Sequence, residues 1–325
     1  MWCIYRIALG SVIVLTASAV PACAQDFPTK PIRFILPYSS GGSADVFVRT
    51  LGKKMSESLK QQVVADARPG GSGIIATEMV ARAAPDGYTM LMVNSATMAV
   101  NPALYPKLSY DPMVDFAPIS KCITYGYVLV VHPALPVKSV KEMVALAGKR
   151  PGELRYGSAG MSAMNHLAGE IFSEMTRTSL THVPYKGSSG ALTALLGGET
   201  SLMFDTIITS VPFIKAGRLR AIAVTSITRS ALIPQTPTMS EQGIVGYELT
   251  EWNGVVVPAA TPRSITDRLY QEIIKALKTT EVLNVLVNQG GNEIVGNSPE
   301  EFRQDIQASI QKYARLLKTA GIKAE

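Results

Sequence analysis

Short apolar runs alternate with amphipathic stretches along most of the chain. Residues 31–38 form an apolar run that ends at Ser39-Ser40-Gly41-Gly42, and an apolar stripe with helical spacing follows over 43–60. The same reading predicts a strand pair around 119–131. Further strands are predicted at 62–67, 88–94, 154–157, 180–184, 201–205, 219–226, 251–257 and 293–295, and further helices at 74–83, 140–147, 165–175, 190–197, 265–278, 281–289 and 299–319.

This order predicts an α/β protein with two lobes, each a doubly wound sheet flanked by helices. Continuous apolar runs favour parallel strands covered on both faces. We expect lobe 1 to be discontinuous, over 25–123 and 225–325, and lobe 2 to span 124–224. The chain would cross between the lobes twice, and these two connecting strands would form the hinge. Ligands bind beyond the carboxyl ends of such strands, so the cleft between the lobes is the expected site.

The composition supports a large folded core, with 47% hydrophobic and 17% charged residues. The net charge of +6 is spread along the chain, without the basic stripe that nucleic-acid binding requires, so no nucleic acid is expected. Residues 1–24 predict a cleaved secretory signal peptide, whose apolar run is too short to span a membrane. Lipidation of Cys23 is an alternative. Cys122 then stands alone, which predicts no disulfide and no cysteine metal cluster.

Two loops that lead from a strand into a helix carry the strongest binding signal. Small residues there leave unpaired N–H groups at the helix start, where the helix dipole also favours an anion. We predict that the two loops face each other across the cleft. The first contains Tyr38, Ser39, Ser40, Gly41, Gly42 and Asp45, and the second contains Ser158, Ala159, Gly160 and His166.

Several of these residues also have a structural interpretation. Asp45 fits a first-turn position that the helix dipole favours, and His166 fits a helix cap or a packed side chain equally well. Asn94, at the end of another strand, would add hydrogen bonds to a ligand. Asp205, also at a strand end, would either orient its loop or meet a ligand amine.

Motifs of enzymes are poorly represented. Residues 71–76 fit G-x-G-x-x-A, but the acidic residue that dinucleotide binding needs is missing after the next strand. No G-x-S-x-G elbow, Walker loop or H-E-x-x-H motif occurs, and the three histidines lie in separate elements. We therefore expect no cofactor, no metal and no catalytic residue. The alternative, a secreted hydrolase or isomerase on a similar fold, requires a nucleophile–base pair in the cleft.

The mature chain resembles the solute-binding proteins of tripartite tricarboxylate transporters, the Bug family. The resemblance is specific because several motifs occur together. They are Phe27-Pro28-Thr29-Lys30-Pro31-Ile32-Arg33 through Gly41-Gly42 and Asp45, Arg68-Pro69-Gly70-Gly71-Ser72-Gly73, Ala84-Pro85-Asp86-Gly87-Tyr88-Thr89, His166-Leu167-Ala168-Gly169-Glu170, Val183-Pro184-Tyr185-Lys186-Gly187, Arg220-Ala221-Ile222-Ala223-Val224-Thr225-Ser226 and Pro237-Thr238.

The resemblance implies a two-lobed, periplasmic-binding-protein-like fold and a monomeric periplasmic receptor without enzymatic activity. It would hold a small carboxylated solute through backbone amides of the two loops, partly by way of ordered waters, and deliver it to a membrane permease. A sensor that feeds a signalling receptor is an alternative. The family usually has prolines where Ser39 and Ser40 stand, and Gly-Ser or Gly-Thr at Ser162-Ala163, so the identity of the ligand is not inherited. The two serine hydroxyls predict a more polar solute.

Overall fold

The computed structural model describes residues 27–319 of the chain, so the predicted signal peptide lies outside the described residues. Strands and helices alternate along this part. The strands are β1 Ile32–Leu36, β2 Val63–Ala67, β3 Thr89–Asn94, β4 Phe116–Val131, β5 Arg155–Ser158, β6 Thr181–Pro184, β7 Leu202–Thr206, β8 Arg220–Val224, β9 Thr250–Pro258 and β10 Glu293–Ile294. The α-helices are α1 Ser43–Leu59, α2 Ile74–Ala81, α3 Asn101–Leu104, α4 Val140–Lys149, α5 Met164–Thr176, α6 Ser188–Leu196, α7 Ile207–Lys215, α8 Arg263–Leu277, α9 Thr280–Leu283 and α10 Pro299–Thr319.

Two mixed sheets share the long strand β4. In the first sheet the order is β2-β1-β3-β9-β4, and β10 pairs with β4. In the second, the final residues of β4 pair with β7 on one side and β8 on the other, and β5 and β6 complete the sheet beyond β7. The chain therefore has the two-lobed α/β fold that its sequence predicts. Lobe 1 is built around the first sheet and lobe 2 around the second.

Strand direction is only partly as predicted. β1 runs parallel to β2 and β3, and β5 runs parallel to β6 and β7. In contrast, β9 is antiparallel to β3 and β4, and β4 is antiparallel to β7. Helices cover both faces of these central strands, which makes an antiparallel strand such as β9 as continuously buried as a parallel one.

The strand pair predicted around 119–131 is wrong. Residues 116–131 form the single 16-residue strand β4, which passes from one sheet into the other. No tight-turn sequence interrupts it. The pairing register of β4 instead shifts after Pro118, Lys121 and Leu129, and these irregularities accommodate its polar residues. Helix α7, which contains Pro212, was not predicted from the sequence.

Thr225 joins the chain segments that connect the two lobes. Its N–H donates to the Tyr127 carbonyl at 2.9 Å, and the Tyr127 N–H donates to the Thr225 hydroxyl at 2.8 Å. That hydroxyl donates in turn to the Leu249 carbonyl at 2.7 Å, just before β9 begins. The hinge is thus formed where β4, the end of β8 and the start of β9 meet. The numbered boundaries of the lobes remain a prediction.

Helix α10 begins as the sequence predicts and closes one face of lobe 1. The Glu301 N–H donates to the Ser298 hydroxyl at 3.3 Å, and the Ser298 N–H donates to a Glu301 carboxylate oxygen at 2.8 Å, which is a capping box. One turn further on, the fully buried ring of Phe302 meets Trp252 edge to face, with centroids 5.3 Å apart. Among residues 27–319, no helix combines the length and apolar character needed to span a bilayer.

Replacing Ser298 by alanine is expected to lower the free energy of unfolding by about 1 kcal/mol, because the helix loses its cap. Urea denaturation measures the change. Ser309→Ala, in the middle of the same helix, is the control and should be neutral or slightly stabilising. Equal stability of the two variants would contradict a capping role for Ser298.

Candidate functional site

A cavity of about 470 Å³, including space open to solvent, lies between the two lobes. Both lobes and the hinge contribute to its walls. The lining residues are Tyr38, Ser39, Gly42, Ser43, Ala44, Asn94, Tyr125, Tyr127, Ala159, Ala163, Met164, Asn165, Ser188, Thr206 and Glu251. None of them is Lys, Arg or His. The helix starts in its wall, with their backbone N–H groups, are therefore the nearest sources of positive potential.

Four helices begin at the cavity wall. Gly42 precedes α1, Ala163 precedes α5 and Thr206 precedes α7, and all three line the cavity together with Ser188, the first residue of α6. None of these four helix starts is capped by a side chain. Their first-turn N–H groups lack helical partners, and each helix start carries about half a positive charge. The arrangement suits a small anion.

Five of the residues predicted from sequence line this cavity together. They are Tyr38, Ser39, Gly42, Asn94 and Ala159. The Asn94 amide donates to the Tyr38 hydroxyl at 3.0 Å, which ties the end of β1 to the end of β3. Burial raises the pKa of Tyr38, so its hydroxyl stays protonated over the physiological range.

The first predicted loop touches lobe 2 across the cleft at Lys186 and Ser189, which lie outside the second predicted loop. The Ser39 N–H donates to the Lys186 carbonyl at 3.3 Å, and the Ser39 and Ser189 hydroxyls lie 3.1 Å apart. Gly42 lies against Ser188 and Ser189, where a side chain would collide. The lobes are closed on each other at this edge.

The other predicted residues are not part of the cavity lining. Asp45 accepts hydrogen bonds from the Gly41 N–H at 3.0 Å and from Arg49 at 2.8 Å, so it shapes the first loop. Asp205 accepts from the hydroxyls of Thr209 and Ser210, each at 2.7 Å, and so holds the start of α7. Burial raises the pKa of Asp205 to about 6. Ser40, Gly41, Ser158, Gly160 and His166 also lie outside the lining.

A serine–histidine pair lies inside lobe 2. The Ser158 hydroxyl is 2.6 Å from His182 Nε2, and the His182 ring stacks on His166 with centroids 4.0 Å apart. Burial, with His166 beside it, lowers the pKa of His182 to about 3. Ser158 is fully buried and bonded to the Gly160 backbone, and His166 Nδ1 bonds the Met161 carbonyl. The pair therefore shapes the second loop and does not face the cavity.

Sequence reasoning missed several of the lining residues, above all Glu251 near the start of β9. One of its carboxyl oxygens accepts the Ser95 N–H at 2.9 Å and the other accepts the Tyr127 hydroxyl at 3.1 Å. Burial raises the pKa of Glu251 to about 7. The available signal was a single acidic residue at the start of the strand predicted over 251–257. Over residues 27–319, no group of three or more His, Cys, Asp or Glu is placed to hold a metal ion.

The family model of the tripartite tricarboxylate transporter family receptor, TctC, matches residues 47–322. The chain belongs to this receptor family. This confirms the resemblance that the sequence motifs indicated. BugT of Bordetella pertussis is 33% identical to this receptor over 316 residues, which cover 97% of each chain.

Two solved structures of similar proteins contain small dicarboxylates. Rpa4515 of R. palustris with adipate is 35% identical, covers 92% of this chain and 99% of its own, and superposes with a TM-score of 0.88. MatC from Rhodopseudomonas palustris with bound malate is 26% identical, covers 90% of this chain and 100% of its own, with a TM-score of 0.86. The family consists of solute-binding receptors, which are not enzymes.

Proposed function

We propose that this receptor captures a small carboxylated solute between its lobes and delivers it to the membrane subunits of a tripartite tricarboxylate-type transporter. One observation carries the proposal. Four helix starts without side-chain caps meet at a cavity between the lobes whose lining has no basic side chain. Backbone N–H groups are then the donors for a carboxylate. Adipate and malate in similar structures support this ligand class.

Within this site, we assign the predicted residues different roles. Direct contact with the solute is proposed for Tyr38, Ser39, Gly42, Asn94 and Ala159, which line the cavity. The remaining predicted residues would position the loops. They are Ser40, Gly41, Asp45, Ser158, Gly160, His166 and Asp205.

Delivery requires that the closed, loaded form differ from the open form. A solute that contacts both lobes binds the closed form more tightly and so shifts the population toward it. The permease would recognise that form in a transient complex. We place the protein in the periplasm as a monomer, after removal of residues 1–24.

A thermal-shift screen against dicarboxylates, tricarboxylates, amino acids and aromatic acids tests the function. A ligand at 100 times its Kd stabilises the folded state by about 2.7 kcal/mol, so the Tm should rise by several degrees. Mass spectrometry of the recovered ligand should show it unchanged. Conversion to a product would support the hydrolase alternative, and a screen in which no carboxylate raises the Tm would contradict the proposal.

A further inference from the structure

Glu251 places a buried carboxyl group in the wall of the solute cavity. Glu251 is among the residues that line the cavity, yet it is only 2% exposed. Its two oxygens accept hydrogen bonds from the Ser95 N–H and the Tyr127 hydroxyl. A carboxylate offers about four acceptor sites in all. Glu251 thus contributes hydrogen-bond acceptors to a cavity whose helix starts contribute N–H donors.

No basic side chain lines the cavity beside this carboxyl. Burial is the main cause of the raised pKa of Glu251, the groups that lower it are Ser95, Tyr127 and Trp252, and the cavity lining contains no Lys, Arg or His. Buried carboxylates are normally paired with a cation because an isolated buried charge is costly. A cation in the cavity would supply the missing counterpart.

Tyrosines surround this position. Tyr38, Tyr125 and Tyr127 line the cavity, and their hydroxyls are bonded to Asn94, Asn253 and Glu251, in that order. Aromatic rings and a carboxylate are the groups with which proteins hold an ammonium ion. These hydroxyls are already occupied within the protein, so Glu251 is the strongest acceptor that remains for a ligand.

We infer that the solute is an aminocarboxylate, whose ammonium group binds Glu251 while its carboxylate binds the helix starts at Gly42, Ala163, Ser188 and Thr206. This inference rests on the proposed function. The cavity then has two poles, one acidic and one made of backbone N–H groups, and a zwitterion complements both. A plain dicarboxylate would instead bring two negative charges next to Glu251 without any basic side chain, and would require Glu251 to be protonated.

The protonation state of Glu251 predicts how the affinity for the ligand changes with pH. Burial raises its pKa to about 7, and the titratable groups that face it are Tyr38, Tyr125, Tyr127 and Tyr313. The pKa of each tyrosine is raised, so all four stay neutral between pH 5.5 and 8. An ammonium ligand needs ionised Glu251 and should bind about 30-fold more tightly at pH 8 than at pH 5.5. A dicarboxylate without an amino group should show the opposite trend.

Calorimetric titration with acids that differ by one amino group tests this specificity. The pairs are glutamate and glutarate, aspartate and succinate, norvaline and pentanoate, and 4-aminobutyrate and butyrate. At pH 8 the amino member of at least one pair should bind about tenfold or more tightly than its partner. Glu251→Gln should abolish that preference, whereas Glu248→Gln, at an exposed position three residues earlier, should preserve it.

Each outcome separates the inference from the function on which it rests. If the acids bind but the amino group gives no advantage, or its advantage survives Glu251→Gln, the inference is wrong and the carboxylate-receptor function stands. If no acid of any pair or of the wider screen binds, both are wrong. The pH trend of the wild-type protein keeps the test decisive even where the Glu251→Gln variant folds poorly.

Discussion

Replacing Gly42 by valine is expected to weaken solute binding about 100-fold, which is about 2.7 kcal/mol of binding free energy. A Cβ at this position would lie 2.5 Å from the Ser188 hydroxyl and 3.9 Å from Ser188 Cβ on the other lobe. The serine hydroxyl alone could rotate away. The two valine methyl groups, however, would occupy either the space of Ser188 and Ser189 or the cavity itself. The closed, loaded form should therefore be disfavoured.

The unliganded protein should tolerate the same change. Gly42 has φ −92° and ψ 178°, an extended conformation that valine adopts without strain. Valine is a poorer residue than glycine before a helix, so we expect the unliganded stability to fall by no more than about 1 kcal/mol. The loss of affinity would then reflect lobe closure and not a failure to fold.

Titration with the best ligand from the screen, together with small-angle scattering, measures both effects. The wild-type protein should become more compact when ligand is added, and Gly42→Val should not. Gly148→Val is the matched control, because a Cβ at that exposed position in lobe 2 meets no atom within 4 Å. Binding by Gly42→Val within threefold of the wild-type protein would mean that the loaded form does not bring these loops together.

Local sequence patterns predict most of the fold because most elements carry their own signals. The apolar stripe of α1 and the Ser298-Pro299 start of α10 are examples that the structure confirms. Strand direction and the continuity of β4 depend on partners far away in the chain, which no local pattern contains. Helix α7 was missed because Pro212, which normally interrupts helices, lies inside it.

The candidate site likewise contains residues that local sequence patterns predict and residues that they do not. Gly42 was predictable because a small residue before a helix start is a local signal of an anion site. Glu251 was not predictable, because only the pairing of β9 with β3 and β4 brings it next to Ser95 and Tyr127. His182 lies beside Ser158 because β5 and β6 are paired, a contact between strands that residue spacing does not reveal.

Raising the pH from 5 to 8 is expected to increase the unfolding free energy of unliganded Glu251→Gln relative to the wild type by about 2.5 kcal/mol. The folded protein raises the pKa of Glu251 from 4.5 to about 7, mainly by burial. Between these values the folded state holds a proton that the unfolded chain releases, so stability falls as the pH rises toward 7. Each pKa unit corresponds to about 1.4 kcal/mol. Glutamine keeps the shape and an oxygen for the Ser95 N–H, without the charge.

The difference between variant and wild type is the informative quantity, because other groups titrate in the same range. The lowered pKa of His182, about 3, makes the folded state more stable as the pH rises toward the ordinary value of 6.5. The raised pKa of Asp205, about 6, acts in the opposite direction. Both contributions are common to wild type and Glu251→Gln, and they cancel in the difference.

Urea denaturation at pH 5 and pH 8 measures this difference, with Glu248→Gln as the exposed control that should follow the wild type at both values. If the wild type and Glu251→Gln lose or gain stability in parallel, the carboxyl of Glu251 is not held in the raised-pKa environment described here. If they diverge as expected, the same unfavourable ionisation is what an ammonium ligand would relieve. Saturation with an aminocarboxylate should then reduce the gap between the two proteins at pH 8.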